Sequence, residues 1–513
     1  MIKEDVTMKK LLSFALALVL CLSAASWAFA ADDMSEEANL VFYVMGDAPK
    51  DEAVVEEAIN AVLKEKFNAT IDFQFSTWTD FNQKYNNTLI SAGADLIYVA
   101  NWENYGLNAT SGAFLELDEL LDTYGAELKE LCGEGNLNMC RVNGDLYCIP
   151  ALWPEYVSLG IKYREDLRAK YDLPYPTTLE NIEAYLNGIK AADPSQGLLR
   201  PTNTESASSL IIGFDTAYLL ADKYAWVAPF GMPYGLAADY DTPADVYDYW
   251  FSDDFEEDCK LFKSWADQGF WSKSALSDTN DNEAYDNGLA VAEVAGMNPN
   301  KQISSANSFA KDHPDWESAY IAYGENTGVI YPGHATQNGT AILRSSKYPE
   351  RCMMILNYIM TDEAMNCLVQ YGIEGKHYEL DADGFYHNLD DSFAYEGFNT
   401  WNLRVNEFKL KQPTDVALQA MFDKYAELGA QTKWPNINIW DGFTEDYTDY
   451  SAERAAVANV MRQYLAPLQA GLVSDVDAAV EEFRAKVTDA GLEACREGFQ
   501  EQWADYCEEY NYQ

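Results

Sequence analysis

The chain has 513 residues, and its 83 acidic side chains against 35 basic ones give a formal net charge of −48 at pH 7. A surface this negative repels phosphate backbones and anionic lipid headgroups, which excludes nucleic acid and membrane surfaces as expected partners. A chain of this length exceeds what one hydrophobic core supports, so we expect two or three domains.

The N-terminus has the pattern of a cleavable secretory signal. Two lysines precede the apolar run LLSFALALVLCLSAASWAFA, which ends in the small-residue pattern AFA at residues 28–30. We therefore predict that residues 1–30 are a signal peptide and that the protein is exported, to the periplasm or the extracellular space. A lipid anchor at Cys21 is less favoured, because lipoprotein signals need a small residue before the cysteine and this chain has Leu20.

The cysteines and histidines predict neither a metal site nor a fixed disulfide pattern. Disulfides are permitted in an exported protein, and close spacing allows local bridges, but the sequence leaves the pairing open. There is no CxxC motif and the four histidines are scattered, so we expect no zinc, and we expect no cofactor. Eight cysteines follow the signal: Cys132, Cys140, Cys148, Cys259, Cys352, Cys367, Cys495 and Cys507.

A regular alternation of strands and helices follows the signal. Buried strands are predicted at residues 40–46, 69–75 and 95–100, and helical patterns fill the two intervals between them. This β-α-β-α-β order is typical of a parallel sheet covered by helices, so we predict an α/β fold.

A second region begins near residues 143–154, where NGDLYCIPALWP predicts a strand that crosses out of the first region. Two helices follow, and Thr178 is a good N-cap for the second of them. Residues 288–300 predict a buried strand that returns to the first lobe. Residues 341–372 then predict a strand, a turn and one long helix, which Pro349 helps to begin.

Four segments, in this order along the chain, resemble the family 1 extracellular solute-binding proteins of ABC importers. They are NGDLYCIP, then KYREDLRAKYDL followed by TTLENIEAYL, then SSKYPERCMMILNYIMTDE, and YGIEGKHYEL at residues 371–380. The likeness is to a large branch that carries an extra C-terminal domain and is often described as sugar-binding. It implies a two-lobed periplasmic-binding-protein fold (type II-like), with a hinge that the chain crosses more than once and a helical C-terminal part.

This resemblance also implies a division of the chain into lobes. We expect residues 31–152 and 285–341 to form the N-terminal lobe. Residues 153–284 and 342–513 then form the C-terminal lobe and its extension.

Sugar recognition requires flat aromatic faces together with fixed carboxylates or amides, and both are expected where strands end at the cleft. Trp78 could instead pack on Phe81, and residues 226–235 could fill the core of their own lobe. A tryptophan at a hinge can also be purely structural. The candidate ligand contacts are Asp47, Trp78, Asp80, Asn101, Trp102, Trp153, Tyr156, Trp226, Tyr234, Asn298, Trp401 and Asn402.

The sequence therefore predicts an exported, monomeric solute-binding protein that performs no chemistry. It captures a small polar ligand, a mono- or oligosaccharide, between two lobes and delivers it to the membrane permease of an ABC transporter. Two alternatives remain open: an exported glycosidase, since carboxylates are abundant, and a cell-surface glycan sensor or adhesin with the same fold.

Overall fold

The fold is described here from a computed structural model. The predicted signal peptide and Trp78 lie outside the described part of the chain. The structure describes residues 34–77, 80–153, 155–156, 159–202, 210–278, 284–294 and 298–513.

A five-stranded sheet forms the centre of the first lobe. The parallel strands β1 (Ala38–Met45), β2 (Ala69–Ser76) and β3 (Leu96–Val99) follow the predicted alternation, with β1 between the other two. The order is completed by two strands from later in the chain, β6 (Ile149–Pro150) and β12 (Gly339–Ile342), where β12 runs antiparallel to β3 and to β6. The predicted α/β fold is confirmed.

Helices pack against this sheet and against one another. The first of them buries Val55, Ile59 and Leu63, which recur at helical spacing and form the apolar face that the sequence predicts. The predicted long helix after Pro349 is instead two helices, because Asp362 is extended and its carboxylate caps the second one. The helices of this lobe are α1 (Glu52–Phe67), α2 (Phe81–Ser91), α3 (Tyr105–Thr110), α4 (Asp118–Tyr124), α5 (Ala126–Met139), α12 (Pro349–Thr361) and α13 (Glu363–Tyr371).

The second lobe is built on a smaller antiparallel sheet, in which β7 (Gly160–Arg164) lies between β10 (Ala292–Glu293) and β11 (Ser318–Ala322). The hydroxyl of Thr178 accepts a hydrogen bond from the backbone N–H of Asn181, which confirms the predicted N-cap. The helices around this sheet are α6 (Glu165–Lys170), α7 (Leu179–Ala192), α8 (Leu220–Lys223), α9 (Asp253–Asp267), α10 (Pro299–Asp312), α11 (Gly324–Thr327) and α14 (Asp415–Gly429).

Short elements complete the described chain. Three hairpins pair β4 (Arg141–Val142) with β5 (Asp145–Leu146), β8 (Leu236–Ala237) with β9 (Tyr247–Asp248), and β13 (Tyr378–Leu380) with β14 (Tyr386–Asn388). Single 3₁₀ turns lie at Asn101–Glu103, Asp215–Leu219, Pro233–Gly235, Ala275–Ser277, Ala335–Gln337, Trp401–Leu403, Asn406–Phe408, Trp440–Gly442 and Thr448–Tyr450.

The expected lobe boundaries are wrong in two places. Strands β10 and β11 fall within residues 285–341, yet they pair with β7 in the sheet of the second lobe. Helices α12 and α13 fall within residues 342–513, yet they belong to the core of the first lobe, which continues to Val405. A short buried strand has the same sequence pattern whichever sheet it joins, so the pattern alone could not assign it.

The chain passes between the lobes three times, and the crossing segments are tied side by side. They follow β6, α11 and residue 405. The N–H of Leu152 donates to the carbonyl of Arg404, and the carbonyl of Leu152 accepts from Asn406, at 2.8 Å each. The N–H of Gly333 donates to the carbonyl of Glu155 at 2.7 Å. These bonds make the crossings one hinge.

The cysteines after the signal are all unpaired thiols, and the local disulfides that their spacing allows do not form in this structure. Most of them are buried in the apolar cores, where a free cysteine behaves as a small hydrophobic residue. Within the described ranges no helix combines the length and the apolar character that membrane crossing requires.

The C-terminal helices pack onto the second lobe. They are α15 (Ser451–Val460), α16 (Ala466–Gln469), α17 (Val476–Asp489) and α18 (Leu492–Glu509), with a π-helical turn at Met461–Leu465. The guanidinium of Arg496 donates to both carboxylate oxygens of Asp248, at 2.6 and 2.7 Å, and to the carbonyl of Tyr234 at 2.9 Å. The indole N–H of Trp503 donates to the carbonyl of Pro243. These contacts attach the C-terminal helices firmly to the second lobe.

We expect the substitution Arg496→Gln to lower the free energy of unfolding by about 2 kcal/mol, because it leaves Asp248 and the Tyr234 carbonyl without their strongest donor. Urea unfolding measures this change. The control is Arg462→Gln on an exposed helical face, expected to change the free energy by less than about 0.5 kcal/mol. Equal effects of the two substitutions would contradict the anchoring role of Arg496.

Candidate functional site

A cleft of about 2150 Å³ lies between the lobes. Its walls come from both lobes and from the hinge segments. Pockets for drug-sized molecules measure roughly 300 to 1,000 Å³, so this cleft has room for a larger, extended ligand.

Aromatic rings and amide side chains line much of the cleft wall, together with charged side chains. Rings offer flat apolar faces, and amides offer both donors and acceptors to hydroxyl groups. The tryptophans are Trp102, Trp153, Trp401 and Trp440. The amide side chains include Asn86, Asn101, Asn104, Asn298, Asn300, Asn307, Gln337, Asn338, Gln412 and Asn438.

Trp102 forms the wall on the side of the first lobe, directly after β3. Its indole N–H donates to the carbonyl of Gln337 at 3.1 Å, which fixes the ring next to a hinge segment. The side chain is 38% exposed. The indole therefore presents its apolar face to the cleft, while its polar edge is held by the protein.

Trp153 lies in the hinge between two cationic side chains. The guanidinium of Arg404 is 5.1 Å from the ring centroid and the ammonium of Lys409 is 4.6 Å from it. Arg404 is bound by Glu396 through two hydrogen bonds of 2.6 and 2.5 Å, and Lys409 forms an ion pair with Asp415. Each of the two cations is paired with a carboxylate within the hinge. They therefore position the indole without adding net positive charge beside it.

A group of charged side chains lies on the side of the second lobe. The carboxylate of Asp215 accepts from the N–H and the hydroxyl of Thr202, but burial still raises its pKa to about 6. Burial lowers the pKa of Lys301, and nearby Glu293 opposes that change. The buried ammonium of Lys162 lies 3.0 Å from Glu293. These opposite charges compensate one another below the cleft surface.

Three titratable groups near the contact between the lobes have pKa values altered by burial. Burial raises the pKa of Glu103 to about 7 and that of Asp441 to about 6. Burial lowers the pKa of His334 to about 4. At neutral pH His334 is therefore uncharged, and Glu103 carries a proton part of the time.

Five of the predicted ligand contacts line the cleft. Asn101 and Trp102 follow β3, and Trp153 lies in the first hinge crossing. Trp401 lies in a 3₁₀ turn before the third crossing. Asn298 lines the cleft but also caps α10, since its side-chain oxygen accepts from the N–H of Lys301.

Asn402, Tyr234 and Trp226 do not face the cleft, because each side chain is buried and donates a hydrogen bond inside its own lobe. The amide of Asn402 is buried and donates to the hydroxyl of Thr340. The buried hydroxyl of Tyr234 donates to Glu445 at 2.5 Å. Trp226 is buried, and its ring stacks on Tyr224 with centroids 4.1 Å apart. Most of loop 226–235 thus fills its own lobe.

Tyr156, Asp80 and Asp47 also lie away from the cleft wall. The ring of Tyr156 packs on Phe422 in the second lobe, with centroids 5.8 Å apart. Asp80 precedes α2 and forms an ion pair with Lys84 at 2.7 Å. Asp47 is exposed after β1. Trp78 falls outside the described residues, so its predicted contact stays a prediction.

Several residues that line the cleft are not among the ligand contacts predicted from the sequence. The largest group comes from IWDGFTE, where Trp440, Asp441, Phe443 and Glu445 line the cleft. An aromatic residue beside an acid and a glycine is the same signal that picked out Trp102. The predicted contacts do not include it, because they are expected mainly where strands end and no strand is predicted before this segment.

Two α/β lobes that are joined by three crossings and enclose a wide cleft define the fold of the solute-binding proteins. Solved structures with this fold include the N-glycan transport solute-binding protein NgtS from Streptococcus pneumoniae. One of its structures has a TM-score of 0.73 and 22% identity, covering 92% of this chain and 99% of that one. Its complex with Man5GlcNAc has a TM-score of 0.67, 21% identity and the same coverage.

Sequence comparison gives a related result. The chain is 25% identical over 475 residues to a carbohydrate ABC transporter substrate-binding protein of Streptococcus pneumoniae, covering 90% of this chain and 89% of the relative. Residues 439–508 match the family model described as a domain of unknown function, DUF3502. These findings confirm the resemblance to solute-binding proteins of ABC importers that the four sequence segments indicate.

We expect Glu103→Gln to raise the melting temperature at about pH 8 and to change it little at about pH 5. Between the ordinary pKa of 4.5 and about 7, the folded protein holds a proton that the unfolded chain has released, so wild-type stability falls as pH rises through this range. The glutamine is neutral at both pH values and removes this loss. Thermal unfolding of the wild type and of Glu103→Gln at the two pH values measures this difference in melting temperature.

The matched control is Glu116→Gln, an exposed carboxylate in the same lobe. It is expected to behave like wild type at both pH values. A gain for Glu103→Gln that is equally large at both pH values would contradict burial of the charge as the cause.

Proposed function

We propose that this protein captures an oligosaccharide between its two lobes and delivers it to the membrane permease of an ABC transporter. The observation that carries the proposal is the cleft, which combines aromatic faces with fixed amides from both lobes. Ligand that contacts both walls stabilises the closed arrangement, and closure is what membrane subunits recognise in such a carrier.

The proposed ligand contacts are those predicted residues that line the cleft: Asn101, Trp102, Trp153, Asn298 and Trp401. Trp102 offers a stacking face whose position is fixed by the Gln337 carbonyl. Asn101 adds hydrogen-bonding groups beside it. Stacking and hydrogen bonds of this kind can together provide micromolar affinity, about −8 kcal/mol.

The comparisons support a carbohydrate ligand without defining it. The curated relative is described as a carbohydrate-binding component, and NgtS was solved with Man1GlcNAc and with Man5GlcNAc. A neighbour with a TM-score of 0.62, the protein FusA of Streptococcus pneumoniae, was solved with kestose. The volume of the cleft favours an oligosaccharide over a monosaccharide.

The proposal includes the absence of catalysis. Several carboxylates at the cleft have structural partners: Glu396 binds Arg404, Asp415 binds Lys409, and Glu445 accepts from the hydroxyls of two tyrosines. A glycosidase needs instead two carboxylates that are available on either side of the scissile bond. Release of shorter sugars from a panel of oligosaccharides would establish the enzyme alternative.

We also propose that the protein acts outside the cytoplasm as a monomer. Its expected partners are the permease subunits, and genes for such subunits beside its own would support transport. Neighbouring sensor-kinase genes would favour the alternative of a glycan sensor with the same fold.

A thermal-shift screen across neutral oligosaccharides, monosaccharides, amino acids and polyamines tests the ligand class. A sugar at 100 times its dissociation constant adds about 2.7 kcal/mol of stability, so a specific ligand gives a clear upward shift. We expect oligosaccharides to give the largest shifts. Shifts with amino acids or polyamines and none with any carbohydrate would refute the proposal.

For a sugar found in that screen, Trp102→Ala is expected to weaken binding by about tenfold or more, because the stacking face is lost. Calorimetry measures the affinity, and Trp102→Phe should retain much of it. The control is Tyr175→Ala, an aromatic residue that is 52% exposed and lies away from the cleft. Unchanged affinity in Trp102→Ala would remove this residue from the proposed site.

A further inference from the structure

Residues 440–445 form the edge of the cleft on the side of the second lobe, and we call this segment the lip. It begins the stretch that matches a domain of unknown function. Its side chains line the cleft, and it reaches the first lobe at two separate points.

The first point is the approach of Asp441 of the lip to Asn101 of the first lobe, whose side chain opposes the rise that burial causes in the pKa of this carboxyl. Each of the two side chains is held in place by hydrogen bonds within its own lobe. Asn438 donates to the carboxylate of Asp441 at 2.6 Å and accepts from its backbone N–H at 3.1 Å. The side-chain oxygen of Asn101 accepts from the N–H of Trp102 at 2.9 Å, so the amino group is the part of this amide that can donate to a carboxylate.

The second point is a close approach of Thr444 to Gly106 in α3. A Cβ atom on Gly106 would lie 2.3 Å from the hydroxyl oxygen of Thr444 and 2.8 Å from its Cβ. Gly106 has an ordinary helical backbone, so no unusual φ angle requires glycine there. Glycine weakens a helix, and the approach of Thr444 supplies the reason for its presence.

The lip is fixed to the second lobe and not to the first. Glu445 accepts hydrogen bonds from the hydroxyls of Tyr234 and Tyr450, at 2.5 and 2.9 Å. Phe443 packs against Trp503 with ring centroids 5.1 Å apart. Because Trp503 and Tyr234 are part of the second-lobe core, the lip moves with that lobe.

We propose that the unit at residues 439–508 is the closing element of the protein: its lip latches onto Asn101 and Gly106 of the first lobe and so holds the lobes together. This role rests on the proposed function, because the latch would retain a captured sugar in the cleft. It also assigns a task to the stretch that matches a domain of unknown function. A unit that served only to fill the core of the second lobe would not need a glycine opposite Thr444 in the other lobe.

The test measures the approach of the lobes directly and needs no sugar. Cysteines are placed by Asn101→Cys and Asp441→Cys in the mature protein, and a short bismaleimide joins them when they meet. Peptide mass mapping distinguishes this link from reactions of native cysteines. We expect it to form at least tenfold faster than the link in a protein with Asn101→Cys and Asp449→Cys, since Asp449 is exposed and does not line the cleft.

A second experiment blocks the approach of Thr444 to Gly106 with an added methyl group. Gly106→Ala in the cysteine pair should slow linking at least tenfold, and adding Thr444→Gly should restore it, because the three nearest atoms all belong to Thr444. The matched control is Gly135→Ala, in a helix of the same lobe with nothing within 4 Å of the added Cβ. It should leave the rate unchanged.

Two results would overturn the proposal. One is a link between positions 101 and 441 that forms no faster than the control link to position 449. The other is a rate that Gly106→Ala leaves unchanged or that Thr444→Gly fails to restore. A negative sugar screen combined with fast, Gly106-dependent linking would instead reject the proposed ligand and keep the latch.

Discussion

Arg404 is the group on which the arrangement of the two lobes depends. Its side chain is only 16% exposed, and a guanidinium that is removed from water must be paired with carboxylate. Glu396 supplies two hydrogen bonds, and Glu155 lies 3.7 Å away in another crossing segment. Removing one partner of such a buried pair costs about 3 to 5 kcal/mol, so the hinge segments are held in one register.

Arg404 also fixes the position of Trp153, the aromatic residue of the hinge that lines the cleft. The carbonyl of Arg404 binds Leu152, and its guanidinium lies over the ring of the next residue, Trp153. Glu155 in turn accepts from Asn300 at the start of α10 in the second lobe. One buried cation thus links a cleft aromatic to both lobes and holds the floor of the cleft in one shape.

Local chemistry made the first lobe predictable. From Leu40 to its end strand β1 is a continuous apolar run, and α1 repeats apolar residues on one face, so each element is specified by its own residues. Thr178 was predictable as a cap for the same reason, since the bond it makes spans three residues. The lobe to which β10 and β11 belong was not predictable, because two short strands can satisfy their hydrogen bonds in either sheet.

The candidate site was predictable where a single strand end determines it. Asn101 and Trp102 follow β3, at the carboxyl end of a parallel strand, which is where ligands bind in such sheets. Tyr234 is also an aromatic residue in a loop, but its environment is decided by segments more than 200 residues later in the chain, since its hydroxyl donates to Glu445 and its carbonyl accepts from Arg496. Burial imposed by distant segments is invisible to local pattern.

The C-terminal unit joins stability to function through one aromatic cluster. Trp440 and Phe443 line the cleft on one side and pack on Trp503 on the other, with centroids 5.5 and 5.1 Å from its ring. A close-packed interior transmits small displacements, so a change at Trp503 must move the lip as well as weaken the core. The lip is therefore precise because it is continuous with a core, whereas a mobile loop would lose entropy each time it closed.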